Sequence, residues 1–583
     1  MTFAPRHLLP QGNAHPALDM PDQDLRAPFH DPAAPGLRSS RGTLAVRTLV
    51  MACPLCATLA VAALSLGWFA MDGRLTLPEM ALIGLSSFAF FWMMLSVATA
   101  TLGLFWRPRP PVLLAQGLDV AILLPMYGEA AEETVGNAVH LLARLSTDRG
   151  LHNFSLHILS DTRAPAAAAL EEAAVATARW RHPGLAITYR RRPRNTDYKS
   201  GNIRDWVVTS GQAHDAMLVL DADSLMGPQT VRQMADALAQ EPGLGLIQTI
   251  PRVLPGRTIW QGLQSFASDV YGVNMGRGFA LWTGEEGNFL GHNALLRVPA
   301  FATSAGLPHL PGKAPRGGVI LSHDFVEAAL LRRAGWGVRM MPEAEDSHED
   351  TPETLIGYLK RDQRWCQGNL QHIRLLLVPG LHPLSRFHLL QGAMAYLGSL
   401  WWLALLLLWA LPGALGQEPN TPALLPNWPG LPPHIQTAIV CGVGLMLIAP
   451  KLLGLIGYLR RQPLTLARTP RFLAVLLAEV TLSALLAPAL MVHQVRAVLR
   501  TLSGLDGGWM PHVAGRSDLR TLLRFHAAET VLGAALVILS VTGQLSLWLL
   551  PIAVSLCLSV PLAALVQMPR AAFRIPLTKW KDA

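Results

Sequence analysis

Charge is scarce in this chain. Asp, Glu, Lys and Arg make up 15% of its 583 residues, against 51% hydrophobic ones, and that shortage excludes a wholly soluble protein. Cysteine is scarce too. Of Cys53, Cys56, Cys366, Cys441 and Cys557, four lie in apolar segments, so no disulfide framework is implied. Cys53-Pro54-Leu55-Cys56 has the spacing of a redox or zinc motif, but it sits in a hydrophobic run without a second ligand pair and reads as packed or lipid-facing thiols. No nucleic-acid-binding motif accompanies the net charge of +9, so that charge does not argue for a nucleic-acid partner. Internal repeats are absent as well. The first hydrophobic run starts only near Leu44, against expectation for a cleavable signal peptide. Residues 1–43, rich in Pro, Ala, His and Arg, are expected to form a disordered cytoplasmic tail.

Long apolar runs stand in place of charge. About 20 residues cross ~30 Å of hydrocarbon, and spans are expected at Leu44–Ala70, Leu77–Trp106, Leu389–Leu411, Thr437–Leu459, Ala527–Gly543 and Leu545–Val566. They group as a first pair within 44–106, a second pair with an interfacial helix within 380–459, and a third pair within 527–568. Arg38, Arg41 and Arg47 precede the first span and Arg107 and Arg109 follow the second. The linker Gly413–Pro433 and the turn Thr542–Ser546 contain no Lys or Arg. Arg460, Arg461, Arg468 and Arg471 follow the fourth span, and Arg570, Arg574, Lys579 and Lys581 the last. The positive-inside rule then puts both termini, the tail 569–583 and the soluble region on the cytoplasmic side of a multi-pass protein.

Phe472–Leu502 departs from this scheme. It is apolar enough to span, yet basic residues flank both ends, and it carries Glu479, Pro488 and His493. A broken, interfacial or re-entrant helix pair against the cytoplasmic face is expected within 460–526, with two short crossings hinged at Pro488 as the alternative. Glu479 reads as either snorkelling or functional. The Gly504, Gly507, Gly508 and Trp509 segment that follows suits a gating loop.

Between 112 and 379 the pattern becomes short β-branched runs, Val120–Pro125, Phe154–Ser160, Ala186–Arg190, Met217–Leu220 and Leu244–Ile250, separated by helical stretches. That alternation predicts an α/β domain with a doubly wound, mostly parallel sheet inserted in a multi-span helical membrane domain. Ligands in such sheets bind outside the carboxyl ends of the strands. Asp161, Asp221 and Asp223 all fall at strand ends. Pro125-Met126-Tyr127-Gly128-Glu129 closes the first strand, and Tyr127 and Glu129 are suited to a base and ribose. Lys199 opens a helix, where it can meet a diphosphate. Paired carboxylates such as Asp221 and Asp223 suit Mg²⁺ or Mn²⁺, which take oxygen ligands and bridge to substrate phosphates.

Together with Gly291-His292-Asn293-Ala294, Asp324 and Arg364-Trp365, taken in order, these residues resemble the inverting family 2 glycosyltransferases with the layout of processive synthases such as those of cellulose and hyaluronan. The strings Val219–Met226, Leu321–Leu330 and Arg364–Leu370 are similar to a narrower group, the family that builds osmoregulated periplasmic glucans in Gram-negative bacteria. The resemblance implies a GT-A-like fold, UDP-glucose as donor, a growing glucan as acceptor and a divalent metal at Asp223. It implies Asp161 and Asp221 on the uridine and ribose side, Asp324 as general base, Arg364 on the diphosphate, and Trp365, His292 and Asn293 about the acceptor. It further implies a β-1,2 backbone, the bacterial inner membrane, and an acyl carrier protein and a periplasmic glucan-processing protein as partners.

Two positions depart from the wider pattern. Arg361 stands where those synthases carry Gln, so the role of that Gln does not carry over, and Arg361 reads as either functional or solvated. His323 stands beside the expected base and reads as either tuning Asp324 or only hydrogen-bonding locally, the second being preferred. Another processive β-glycan synthase is the alternative reading. A transporter with a nucleotide-binding domain is a third, disfavoured because the spans hold little charge beyond Lys451 and Glu479. Arg496 and Arg500 have the spacing of a cyclic-dinucleotide motif without the barrel that would surround it.

Overall fold

Residues 119–126 are apolar on both faces, as a central parallel strand must be. In the computed structural model, which describes residues 17–108, 116–148, 150–410, 432–505 and 515–569, they form β1 (Asp119–Met126), with Val120 to Leu124 buried. The further strands are β2 (Asn153–Ser160), β3 (Ile187–Arg191), β4 (Ala216–Val219), β5 (Leu225–Met226), β6 (Leu244–Thr249), β7 (Arg252–Val253), β8 (Ala294–Arg297), β9 (Gly337–Met341) and β10 (Ser347–Glu349). Seven make one sheet in the order β3-β2-β1-β4-β8-β6-β9. It is parallel except for β8, which runs antiparallel to both β4 and β6. A second, three-stranded sheet, β5-β10-β7, stands beside it. Helices cover both faces of the large sheet over two apolar cores. The carboxyl ends of β1, β2 and β4 thus open on one crevice, and β8 and β10 bring two later segments to its far side.

Among the described residues, five helices are long and apolar enough to cross a membrane: Arg41–Phe69, Leu77–Gly103, Pro383–Ala410, His434–Arg461 and Thr469–Leu502. Two bent pairs pass the same test together. Leu519–Phe525 meets Ala527–Val541 at 62°, and Leu547–Cys557 meets Ser559–Val566 at 49°.

Two expectations need correcting. The first is the disordered tail. Residues 1–16 lie outside the described part, but residues 17–40 are a strap laid along the catalytic domain. Met20, Gln23 and Asp31 are buried. Asp31 accepts from Trp336 Nε1 at 2.9 Å, Arg333 Nη2 donates to Gln23 Oε1 at 2.8 Å, and Leu18 N–H donates to Val208 O at 3.1 Å. A segment without periodicity can order itself by supplying polar partners to another element.

The second correction concerns Phe472–Leu502, which belongs to one unbroken helix, Thr469–Leu502, with Pro488 inside it. It touches the catalytic domain along most of its length. Phe472 and Val475 pack on Phe266 and Val270, Leu486 packs on Trp260 and Ile356, and Val498 packs on Cys366. Glu479 is buried, accepting from Lys451 Nζ at 2.6 Å, Ser483 Oγ at 2.8 Å and Tyr271 OH at 3.0 Å. It is therefore a paired internal charge, not a snorkelling one. Most of the expected gating loop, residues 506–514, lies outside the described residues, as does the tail 570–583.

Candidate active site

The turns that close β1 and β2 are tied together. Gly128, at φ +83°, donates its N–H to Thr162 Oγ1 at 2.7 Å, and Asp161 N–H donates to Met126 O at 2.8 Å. Tyr127 N–H is capped by Glu129 Oε2 at 2.5 Å. Asp161 is nearly sealed, because Arg192 forks onto both of its oxygens, Nε to Oδ1 and Nη2 to Oδ2, each at 2.8 Å. Arg192 escaped the sequence reading. Its signal was the basic run Arg190–Arg194, which straddles the carboxyl end of β3 and so falls at the same sheet end as Asp161.

Two residues beyond β4 the chain turns at Asp221. Its N–H donates to Ser224 Oγ at 2.9 Å, and its carboxylate takes the ammonium of Lys199. The same Lys199 Nζ donates to Gly291 O at 2.6 Å. Burial disfavours the charged form of Asp221, but Lys199 and His292 outweigh it and hold the carboxyl below the usual range. Gly291 has φ +90°, and a β-carbon there would stand 3.4 Å from Asp324 Oδ2. Lys199 therefore joins Asp221 to Gly291, and Gly291 lies beside Asp324, in the first turn of the helix His323–Ala334. Burial raises the Asp324 carboxyl, with Glu327 adding to the effect, while His323, the Phe325 N–H and Lys199 oppose it. His323 Nδ1 is 3.0 Å from Glu327 Oε2, the local contact expected of it.

His292 stands between Ser224 Oγ, 3.4 Å from its Nδ1, and Glu349 Oε2, 3.2 Å from its Nε2. Burial lowers its pKa, but Asp221 and Glu349 prevail and lift it to about 9. Glu349, on β10, was also missed by the sequence reading. Asp223, like Asp324, forms no ion pair among the described residues. The enclosing cleft and Asp221 push it up to about 7, with Glu349 adding and His292 opposing. An uncompensated carboxylate in an anionic cleft is what a divalent cation fits. Among the described residues no three His, Cys, Asp or Glu side chains gather to hold an ion, in keeping with ions that keep water and phosphate in most positions.

Asn293 is not where an acceptor could reach it. Fully buried at φ 50°, its Nδ2 donates to Ser347 Oγ and His348 O, both at 3.0 Å, and its own O accepts from Thr249 Oγ1 at 2.8 Å. It is a strut between β8 and β10, in a left-handed conformation that Asn tolerates. Its expected acceptor contact is thereby overturned.

Arg364 and Trp365 lie on the helix Leu355–Gln371. This helix seats on the turn before Asp324, where His372 Nε2 is 2.9 Å from Ser322 O and Gln371 Oε1 accepts from Leu321 N–H at 3.0 Å. Arg364 is half-buried, with no ion pair among the described residues, and burial and Arg361 lower its pKa. Trp365 is 45% exposed. The guanidinium of Arg361 lies 4.5 Å from the Trp365 ring centroid, so Arg361 is stacked rather than solvated.

Comparison with known proteins gives the family. Glycosyl transferase family group 2 matches residues 216–432. Three proteins named glucans biosynthesis glucosyltransferase H are similar over most of the chain. That of Shewanella oneidensis is 39% identical over 84% of this chain and 70% of its own length. Those of Rhodopseudomonas palustris and Vibrio cholerae are 40% identical over 87% and 72%, and over 85% and 71%, respectively. Among solved structures, a mannosyltransferase from Pyrobaculum calidifontis in complex with GDP-Man and Mn²⁺ covers 73% of this chain and 99% of its own at 16% identity. Its TM-score of 0.43 is too low to carry an argument.

Proposed function

Because the chain belongs to the glucans biosynthesis glucosyltransferase H family and is a glucosyltransferase of glucan synthesis, we propose that its donor is UDP-glucose and that transfer inverts the sugar to extend a β-linked glucan. The observation that carries this reading is Lys199, bonded to Asp221 and to Gly291 O close to Asp324, which sets a cation suited to diphosphate near a carboxylate suited to a base. Asp161, with Arg192, and Asp221, with Tyr127 and Glu129 at the rim, hold the uridine and ribose. Lys199 and Arg364 meet the diphosphate. Asp324 takes the proton of the attacking hydroxyl, and that hydroxyl approaches opposite the leaving diphosphate. Trp365 offers a face to the acceptor, while Arg361 covers its other side. His292 borders the same space. Asp223 is the residue to hold Mg²⁺ or Mn²⁺, and a bound divalent cation offsets the charge developing on the leaving group.

The helix Thr469–Leu502 supports a particular membrane arrangement. Its contacts with the catalytic domain from Phe472 to Val498 extend over roughly 39 Å at ~1.5 Å per residue. A helix that left the membrane face could not keep them. We infer that it lies along that face, which leaves six crossings among the described residues and returns the chain to the catalytic side after the last of them. The flanking basic residues support a cytoplasmic position for that side, and an inner membrane rests on the family resemblance. Export of the glucan, the β-1,2 linkage and the acyl carrier and periplasmic partners rest on family resemblance alone.

The test is UDP release and product linkage in membranes given UDP-[¹⁴C]glucose, with and without EDTA. Expected is a β-1,2 glucan with stoichiometric UDP, abolished by chelation and restored by Mg²⁺ or Mn²⁺. Undiminished activity after thorough chelation sinks the metal assignment, and absence of UDP release sinks the donor assignment.

A further inference from the structure

The helix Leu355–Gln371 also carries a buried carboxylate that the mechanism does not use. Asp362 is 7% exposed and forms no ion pair among the described residues. Tyr396 OH donates to its Oδ1 at 3.2 Å, and Gln494 Nε2 donates to its Oδ2 at 3.3 Å. Gln494 Oε1 accepts in turn from Ser399 Oγ at 2.6 Å. Burial pushes the Asp362 carboxyl upward, and the Gln494 and Tyr396 bonds pull it down. The network joins three elements: Asp362 from the helix of Arg364 and Trp365, Tyr396 and Ser399 from Pro383–Ala410, and Gln494 from Thr469–Leu502.

Around this network the packing is apolar, with Cys366, Leu370, Ala497 and Val498. Apolar burial is non-directional, so it does not fix how far one helix slides or turns against another. A satisfied buried polar network does. At 3.6 residues per turn, Arg364 points nearly opposite to Asp362. Trp365, three residues on from Asp362, shares its flank. The acceptor platform therefore stands at the seam between the transfer site and the two apolar helices, and Asp362 is the directional contact at that seam.

We propose that Asp362 is a positioning residue. Through Tyr396 and Gln494 it holds Trp365 in register with the helices Pro383–Ala410 and Thr469–Leu502, so that a lengthened glucan stays seated for the next transfer. This rests on the reading of Trp365 as the acceptor platform. Replacing Asp362 by Asn would keep the bond from Tyr396 but set an amide N–H against Gln494 Nε2. Replacing Tyr396 by Phe would remove one hydroxyl and little else.

The experiment uses the full chain in membranes with UDP-[¹⁴C]glucose. It compares Asp362→Asn and Tyr396→Phe with the unaltered protein for the UDP-glucose KM, the rate of UDP release and the length of the glucan. Expected is a KM within about twofold of the unaltered protein and a mean product length several-fold shorter in both variants. Tyr396→Phe decides the matter should Asp362→Asn fail to accumulate. Product of unaltered length, or a proportional loss of UDP release and product at unaltered length, overturns the proposal. Unaltered protein that consumed UDP-glucose without lengthening a glucan would overturn the underlying acceptor reading as well.

Discussion

At the scale of single residues, the cleft owes its chemistry to unequal pairing of its carboxylates. Asp161 has Arg192, Asp221 has Lys199 and Glu349 has His292, while Asp223 and Asp324 have no such partner. A base works ionised, and burial raises Asp324. Turnover should therefore fall as pH drops through a value above the ~4 of a solvated Asp. His292 carries the opposite limb. Its charge, held by Asp221 and Glu349, contributes stability that is complete below the ordinary ~6.5 and is lost as pH rises through about 9. The pH profile of turnover should be bell-shaped, with the alkaline limb displaced in His292→Gln. An acid limb at the ordinary carboxylate value, or an alkaline limb unmoved in that variant, would count against these roles. Arg192→Ala leaves Asp161 buried and unpaired, a loss of ~3–5 kcal/mol by the usual cost of breaking such a pair. It should lower the thermal midpoint and raise the UDP-glucose KM, and a variant with both unchanged would release Asp161 from its uridine assignment.

At the scale of elements, much was legible from pattern and some was not. Continuous apolar runs marked β1, β2 and β4, and acidic residues just beyond them marked the crevice, because a buried parallel strand and a ligand site at its carboxyl end both follow from sheet geometry. Strand β8 escaped because Ala294–Arg297 is four residues long and owes its conformation to β4 and β6 on either side. Asn293 misled because a polar residue in a motif looks the same whether it faces ligand or pins backbone. The strap at residues 17–40 escaped because its order comes from partners such as Arg333 and Trp336 far along the chain. For Thr469–Leu502, Pro488 wrongly suggested a break. A proline inside a helix costs ~3 kcal/mol or more, and here the helix that contains Pro488 is packed along most of its length. Cysteines placed at Thr465 and Arg516, beyond either end of that helix, should both resist membrane-impermeant reagents in intact cells and react after permeabilisation. Labelling of one but not the other from outside would make it a crossing.

At the scale of the whole molecule, Glu286 ties the membrane to the catalytic domain. It is buried and takes Arg47 from the first apolar helix at 2.6 Å, Arg332 from the helix of Asp324 at 3.1 Å, and Ser39 from the strap. Its backbone O lies 3.0 Å from His388 Nε2 on the third apolar helix. Glu286→Ala should destabilise the solubilised protein by ~3–5 kcal/mol, read as thermal inactivation in detergent, and an unmoved inactivation temperature would deny it that role. Strap, apolar helices and the helix His323–Ala334 thus meet behind Asp324, the proposed base. The most direct measurement is therefore made on Asp324→Asn in the full chain, comparing UDP binding by calorimetry with glucosyl transfer from UDP-glucose. Expected is UDP affinity close to that of the unaltered protein with transfer reduced by ~10²–10⁴. Transfer at the unaltered rate would contradict the assignment of Asp324 as the base.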